Sequence, residues 1–407
     1  MPRSSASSFE TTVHILYLAD IRFPLERANG IQTIETCHAL AERGHSVQLF
    51  VRPDTARPAR DPFAFYGLDP HPRLFVQRAM VFGPASARRV AYLAQALTTA
   101  ARDRGRIEIV MTRDLGAASL VLRLARWLRP PLAYESHGFA PVFAETRPEQ
   151  LSEGAAASAS KLRRLLAREE RVWRLAEGYV TITEGLLMEL TNRFGARSAL
   201  MTIPDGTRLA GDRRFSPPGQ SATPVVTYAG HLYPWKGVDV LLRALALLPE
   251  VRGVIVGGHP AESDLVRLQT LAGTLGIADR VTFTGLVHRS DVAGLLGQAD
   301  VLVMPHTATP VSERYASPLK LFEYMAIGKP IVASDLTAVR EVLRDGESAC
   351  LVRPGDPGSL ASGIAKVLAD RTLAERIARG AFEGASSYTW ALRAERLETL
   401  LEMAAKR

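Results

Sequence analysis

Lys236 stands in the run YAGHLYPWKGVDV and Lys320 in ERYASPLKLFEYM, and each falls beside a predicted helix start. The amino end of a helix carries about half a unit of positive charge and several unpaired N–H groups, so a cation there is unfavourable unless an anion joins it. A hydroxyl, free amides and an ammonium converging on one point make a phosphate site. In the second run Ser317 is the expected N-cap and Pro318 the first helical residue, with Leu319, Phe322 and Met325 recurring at helical spacing; Lys320 is then the third helical residue. One such lysine is also explained by solvent exposure or by pairing with Glu323. Two placed alike, in a chain with only six lysines among 50 basic residues, favour a diphosphate.

Glycines share this placement. Gly230 closes a predicted strand at 224–230, and Gly257 and Gly258 close another at 253–258, so backbone can approach a ligand closely at strand carboxyl ends. No Asp-x-Asp occurs, which leaves protein cations rather than a chelated metal as the expected means of neutralising phosphate. No G-x-G-x-x-G follows a strand and no G-x-x-x-x-G-K-[ST] is found, against a nicotinamide dehydrogenase and a P-loop ATPase.

The elements that must position these groups alternate along the whole chain. Strand-length apolar runs are predicted at 13–18, 46–51, 107–111, 132–136, 179–183 and 199–203, with a helix from about Ile31 to Arg43. The pattern restarts at 224–230, 253–258, 281–285, 301–305, 330–334 and 349–352, after a polar linker at 205–224. Such alternation requires parallel sheets covered by helices, hence two Rossmann-like, doubly wound α/β domains with the ligand between their strand carboxyl ends. We expect an amino domain over 1–207, a carboxyl domain over 208–387, and a closing helix at 388–407 that rejoins the first.

Composition sets the class. Of 407 residues, 47% are hydrophobic and 23% charged, and the net charge of +8 favours anionic partners. The start, MPRSSASSFETT, lacks the apolar core of a signal peptide, and no stretch approaches about 18 uninterrupted apolar residues, so a cytoplasmic protein is expected. The basic amphipathic run 161–174 reads either as a solvated helix face or as peripheral contact with the inner face of an anionic membrane. Nucleic acid is not an expected partner. Cys37 and Cys350, far apart and without metal-ligand spacing, are expected to be buried free thiols.

The run G-x-L-x-x-x-K-G at 230–237, FTG at 283–285, ADVLVMP at 299–305, LFEYMAIGKPIVASD at 321–335 and VLRDGESACLVRPGD at 342–356 resemble the donor-binding half of retaining GT-B glycosyltransferases of family 4. FPLERANGIQTIETCHALAERGHSV resembles the family's first loop and helix, and YTWALRAERLETLLEMAAK its terminal helices, which cross back to the amino domain. The resemblance implies metal-independent hexosyl transfer from a UDP- or GDP-linked sugar to the hydroxyl of a sugar, lipid-linked or small-molecule acceptor, in glycan, glycolipid or envelope polysaccharide synthesis, with no further cofactor. Carried over by position, it implies that Lys236 binds the diphosphate and Glu323 the ribose. Ser317, Pro318 and the amides of Leu319 and Lys320 would hold the distal phosphate, with Gly30, Gly230, Gly257 and Val287 also lining the donor. His137, in YESHGF, would contact the transferred sugar; with Lys236, Lys320 and Glu323 it makes up the expected catalytic set. The chain departs from the family at His231, where arginine is usual, and at Tyr315, eight positions before Glu323, where a glutamate is usual. A noncatalytic sugar-nucleotide binder, or an epimerase or phosphorylase of the same fold, is the alternative.

Overall fold

The computed structural model describes residues 12–405 apart from 147–156, 210, 212, 220 and 260–262. Seven parallel strands form the first sheet: β1 (His14–Arg22), β2 (Ser46–Arg52), β3 (Leu74–Arg78), β4 (Ile109–Thr112), β5 (Leu132–Ser136), β6 (Gly178–Thr181) and β7 (Leu200–Thr202). Their order is β3-β2-β1-β4-β5-β6-β7. Six parallel strands form the second: β8 (Val225–Ala229), β9 (Arg252–Val256), β10 (Val281–Gly285), β11 (Val301–Met304), β12 (Ile331–Ser334) and β13 (Cys350–Val352), ordered β10-β9-β8-β11-β12-β13. Both sheets are doubly wound, as near-continuous apolar strands alternating with helices require. Each reverses direction once, between β1 and β4 and between β8 and β11, and a crevice opens at such a point.

Strand β3 was not expected from the sequence. It is an edge strand with Phe75 facing out at 57% exposure, so its apolar residues lack the uniform burial that marks the other strands. The first helix spans Ala28–Glu42 and starts three residues before the expected Ile31, which places Gly30 in its first turn rather than ahead of it. An added Cβ on Gly30 would run into the Tyr66 hydroxyl, so the glycine serves close packing there.

The chain crosses between the halves twice. The first crossing begins inside the protein: Asp205 and Thr207 are 5% exposed, so the opening residues of the stretch expected to be a polar linker are buried. The second is at Tyr388–Trp390, beside the first, where Thr207 N–H donates to Tyr388 O at 2.8 Å. The last helix, Trp390–Ala405, then lies on the amino half, with Trp390, Ala394, Leu397, Leu400, Leu401 and Ala404 in one apolar cluster with Ile15, Ile34 and Leu40. Cys37 and Cys350 are buried free thiols. Among the described residues no helix is long and apolar enough to cross a membrane. The basic run forms the helix Ala159–Leu175, capped by Ser158, with Glu169, Val172 and Trp173 buried and Lys161, Arg164 and Arg168 exposed.

Candidate active site in the interdomain cleft

Where the strand carboxyl ends of the two halves face each other there is a cavity of about 520 Å³. From the second half it is lined by Gly230, His231, Lys236, Gly257, Val287, Pro318, Leu319, Lys320 and Glu323. Ile31, Arg60, Phe65 and Tyr66 form the facing wall, which sequence reasoning did not identify.

Two lysines come together on one side of this cavity. Lys236 follows β8 in a short turn ended by Gly237, whose φ of +69° a side chain would strain and whose Cβ would strike the Pro305 carbonyl. Its Nζ lies 3.6 Å from the centre of the Trp235 ring. Lys320 is 8% exposed, with Nζ 3.8 Å from the centre of the Tyr228 ring and no hydrogen-bond partner among the described residues. Gly230 makes room for it, since a Cβ there would lie 2.8 Å from that Nζ. Burial pushes the Lys236 pKa down to about 7. Burial, and then the charge of Lys236, push Lys320 well below the ordinary lysine value. Aromatic faces partly compensate each ammonium, and the Glu323 carboxylate opposes the lowering of Lys320.

His306, just past β11, is fully buried near both lysines, and neither ring nitrogen has a hydrogen-bond partner among the described residues. Burial, then Lys236 and Lys320, hold it well below the usual histidine range, so it adds no third charge. A single histidine after a strand carries no sequence signal for this placement.

The local structure around Lys320 differs from expectation. The helix spans Leu319–Ile327 with Pro318 at the cap position, so Lys320 is its second residue. Ser317 is not the N-cap: its hydroxyl accepts from the Asp205 N–H at 3.1 Å, and it does not line the cavity. Tyr315 also lies outside the cavity, buried, with its hydroxyl donating to Glu189 at 2.5 Å and so docking this loop on the amino half. Glu323 lines the cavity and pairs with Arg289 at 3.2 Å. His231 lines it with its ring stacked on Tyr233, centroids 5.1 Å apart.

His137 stands just past β5, apart from the residues lining the cavity, its side chain 18% exposed. Its Nε2 is 2.5 Å from Glu135 Oε1. Burial and then the nearby Arg113 lower the His137 pKa, while Glu135 opposes them. Burial alone would raise Glu135, yet Arg393 and His137 hold it well below the carboxylate range. Glu135, His137 and Asp205 each bring a ligand atom within 4.8 Å of the others, a spacing suited to a metal ion. The cation among them here is the Arg393 guanidinium, 2.7 Å from Glu135 Oε1, and a metal would have to displace it.

Two doubly wound sheets meeting across a cleft define the GT-B architecture. The solved structure of Anabaena HepE in complex with UDP is similar to this chain over 96% of its length and 100% of that protein's, with a TM-score of 0.72 at 20% identity. A model described as glycosyl transferase 4-like domain matches residues 30–206, and one described as glycosyl transferases group 1 matches 223–370; the chain belongs to this glycosyl transferase family. A D-inositol 3-phosphate glycosyltransferase of Mycolicibacterium vanbaalenii is 34% identical over 203 residues, 47% of this chain but only 43% of that protein. Another, from Stackebrandtia nassauensis, is 27% identical over 401 residues, 90% of this chain and 85% of that protein.

Proposed function

We propose that the protein transfers a hexosyl group from a nucleotide diphosphate sugar to an acceptor hydroxyl, with retention of anomeric configuration and without a metal. The observation that carries this reading is the pair Lys236 and Lys320, buried or partly buried beside aromatic rings at the second sheet's crevice, with no hydrogen bond to Lys320 Nζ among the described residues. A diphosphate supplies the missing counter-charge. The barrier to transfer is dominated by charge growing on the departing diphosphate, which preorganised cations in a water-poor site stabilise.

The ribose meets Glu323, which the ion pair with Arg289 holds in place, and the base lies toward Val287. Pro318, Leu319 and the amides opening the helix hold the distal phosphate. His137 faces the transferred sugar from the amino half. Retention follows if a phosphate oxygen of the leaving group takes the acceptor's proton on the face from which it departs, while cations rather than a carboxylate flank that end. The names of the relatives make a phosphorylated polyol the first acceptor to try, and the exposed cations of the helix Ala159–Leu175 suit either such an acceptor or an anionic membrane.

A thermal-shift screen of UDP- and GDP-linked sugars, followed by donor turnover with and without inositol phosphate, tests this. Binding at a hundred times the dissociation constant adds about 2.7 kcal/mol to stability. Stabilisation by no nucleotide sugar would reject the reading, and binding without turnover over any acceptor would favour a noncatalytic binder.

A further inference from the structure

The terminal helix carries a buried arginine into the amino half. Arg393 has a side chain 2% exposed, with Nη2 2.7 Å from Glu135 Oε1, Nη1 donating to Thr36 Oγ1 at 3.1 Å, and Nε 3.9 Å from Asp205 Oδ1. Glu135 Oε1 also accepts from Gln32 Nε2 at 2.5 Å, and Gln32 Oε1 in turn accepts from Arg113 Nη1 at 2.7 Å. The same oxygen faces His137 Nε2. Glu135 is wholly buried. A buried ion pair is a poor source of stability, since desolvating both partners costs about what their attraction returns, and apolar residues of similar size often do as well. Beside a histidine such a pair has another use: a carboxylate at one ring nitrogen fixes the tautomer and the ring plane.

We infer that Arg393 is a positioning residue for the transfer: it holds Glu135 in place, so that Glu135 keeps the His137 proton on Nε2 and leaves Nδ1 as the acceptor. This rests on the reading that His137 meets the transferred sugar. The charged and titratable groups around the ring are Glu135, Arg113, Asp205 and Arg393; Tyr17 and Cys37 also face Glu135, both kept neutral first by burial. Asp205 comes from the first interdomain crossing and Arg393 from the first turns of the helix that follows the second, and the Asp205 N–H is bonded to Ser317 of the donor half. The support of the ring is therefore assembled where the two halves join.

The test uses the full chain with Arg393→Met, Arg393→Lys, the double variant Glu135→Gln with Arg393→Met, and His137→Ala. The double variant removes both buried charges and so keeps the comparison open should Arg393→Met alone fail to fold. Melting temperature, calorimetric nucleotide-sugar affinity, kcat and KM, and the nitrogen-15 shifts of the His137 ring are measured. Arg393→Met is expected to keep nucleotide-sugar affinity, to lose about 10²-fold in kcat and to convert one ring tautomer into a mixture, because the ring is misplaced rather than removed. Arg393→Lys restores part of the rate. The double variant melts like the parent yet turns over as slowly as Arg393→Met. A folded Arg393→Met, or a folded double variant, with the parent's kcat and tautomer overturns the inference while leaving the donor site standing. Parent-like turnover by His137→Ala overturns it together with the role assigned to His137.

Discussion

Binding of the nucleotide sugar should take up protons, and Lys236 sets the scale. Its pKa lies near 7 in the empty cleft because burial disfavours the charged form, whereas an unburied lysine titrates near 10.5. A diphosphate against the ammonium restores the charge. Between pH 7 and 9 the charged fraction of the empty site falls from about one-half to about one-hundredth, so affinity should drop about fifty-fold, or about 2.3 kcal/mol. Lys320 acts in the same direction, and His306, already neutral, does not oppose it. The phosphates of a nucleotide sugar, being diesters, do not titrate in this window, so the slope belongs to the protein. The sign for folding is the reverse of that for binding: the unfolded chain binds more protons than the empty folded site between about pH 7 and 10.5, so the empty protein gains stability as pH rises through that window. Calorimetry at pH 7 in buffers of different ionisation enthalpy should show uptake of about half a proton from Lys236 alone, rising toward one at pH 8. Flat affinity from pH 7 to 9 with no buffer dependence would refute the placement of the diphosphate against these lysines.

Lys320→Ala should lower kcat by about 10²-fold to 10³-fold with the fold intact, because it removes a preorganised cation from the leaving group and a buried amine that has no hydrogen-bond partner among the described residues; equal turnover by variant and parent would show that the ammonium does not touch the phosphates. Lys320→Arg should recover only part, since a planar fork does not replace a point charge. Glu323→Gln should weaken nucleotide binding by about tenfold and erase the preference for ribose over deoxyribose donors, measured by competition calorimetry; an unchanged preference would remove the ribose from Glu323. Turnover should persist in excess EDTA, and loss restored by a divalent ion would show that a metal shares the neutralisation of the diphosphate.

The parts legible in the sequence are those set by short-range order. Parallel strands buried on both faces read as apolar runs, and a glycine that admits another chain or a ligand marks its place at a strand end, so both sheets and the surroundings of Lys236 and Lys320 were accessible. β3 was not, because at the sheet edge Phe75 turns to solvent and the run loses its contrast. The cap of the Leu319–Ile327 helix was misjudged because Ser317 is an excellent local cap that a distant partner, the Asp205 amide, has claimed. Arg393 is an ordinary arginine on an amphipathic helix until the chain's return brings it to Glu135. The amino-half wall of the cavity, with Arg60, Phe65 and Tyr66, likewise exists only once the two halves face each other.

The last helix also constrains how the molecule is made. The apolar side of the first sheet is completed by Trp390, Leu397, Leu400 and Leu401, which a ribosome delivers only after every other strand has been synthesised. The carboxyl half has all of its strands and its own apolar cluster before that point, so it can finish first while the amino half waits with a groove uncovered beside Ile34 and Leu40. An exchange of halves between related proteins therefore needs two junctions, one near Thr207 and one near Thr389, so that the terminal helix travels with the sheet it covers. A chimera cut at a single point would pair each terminal helix with a foreign groove.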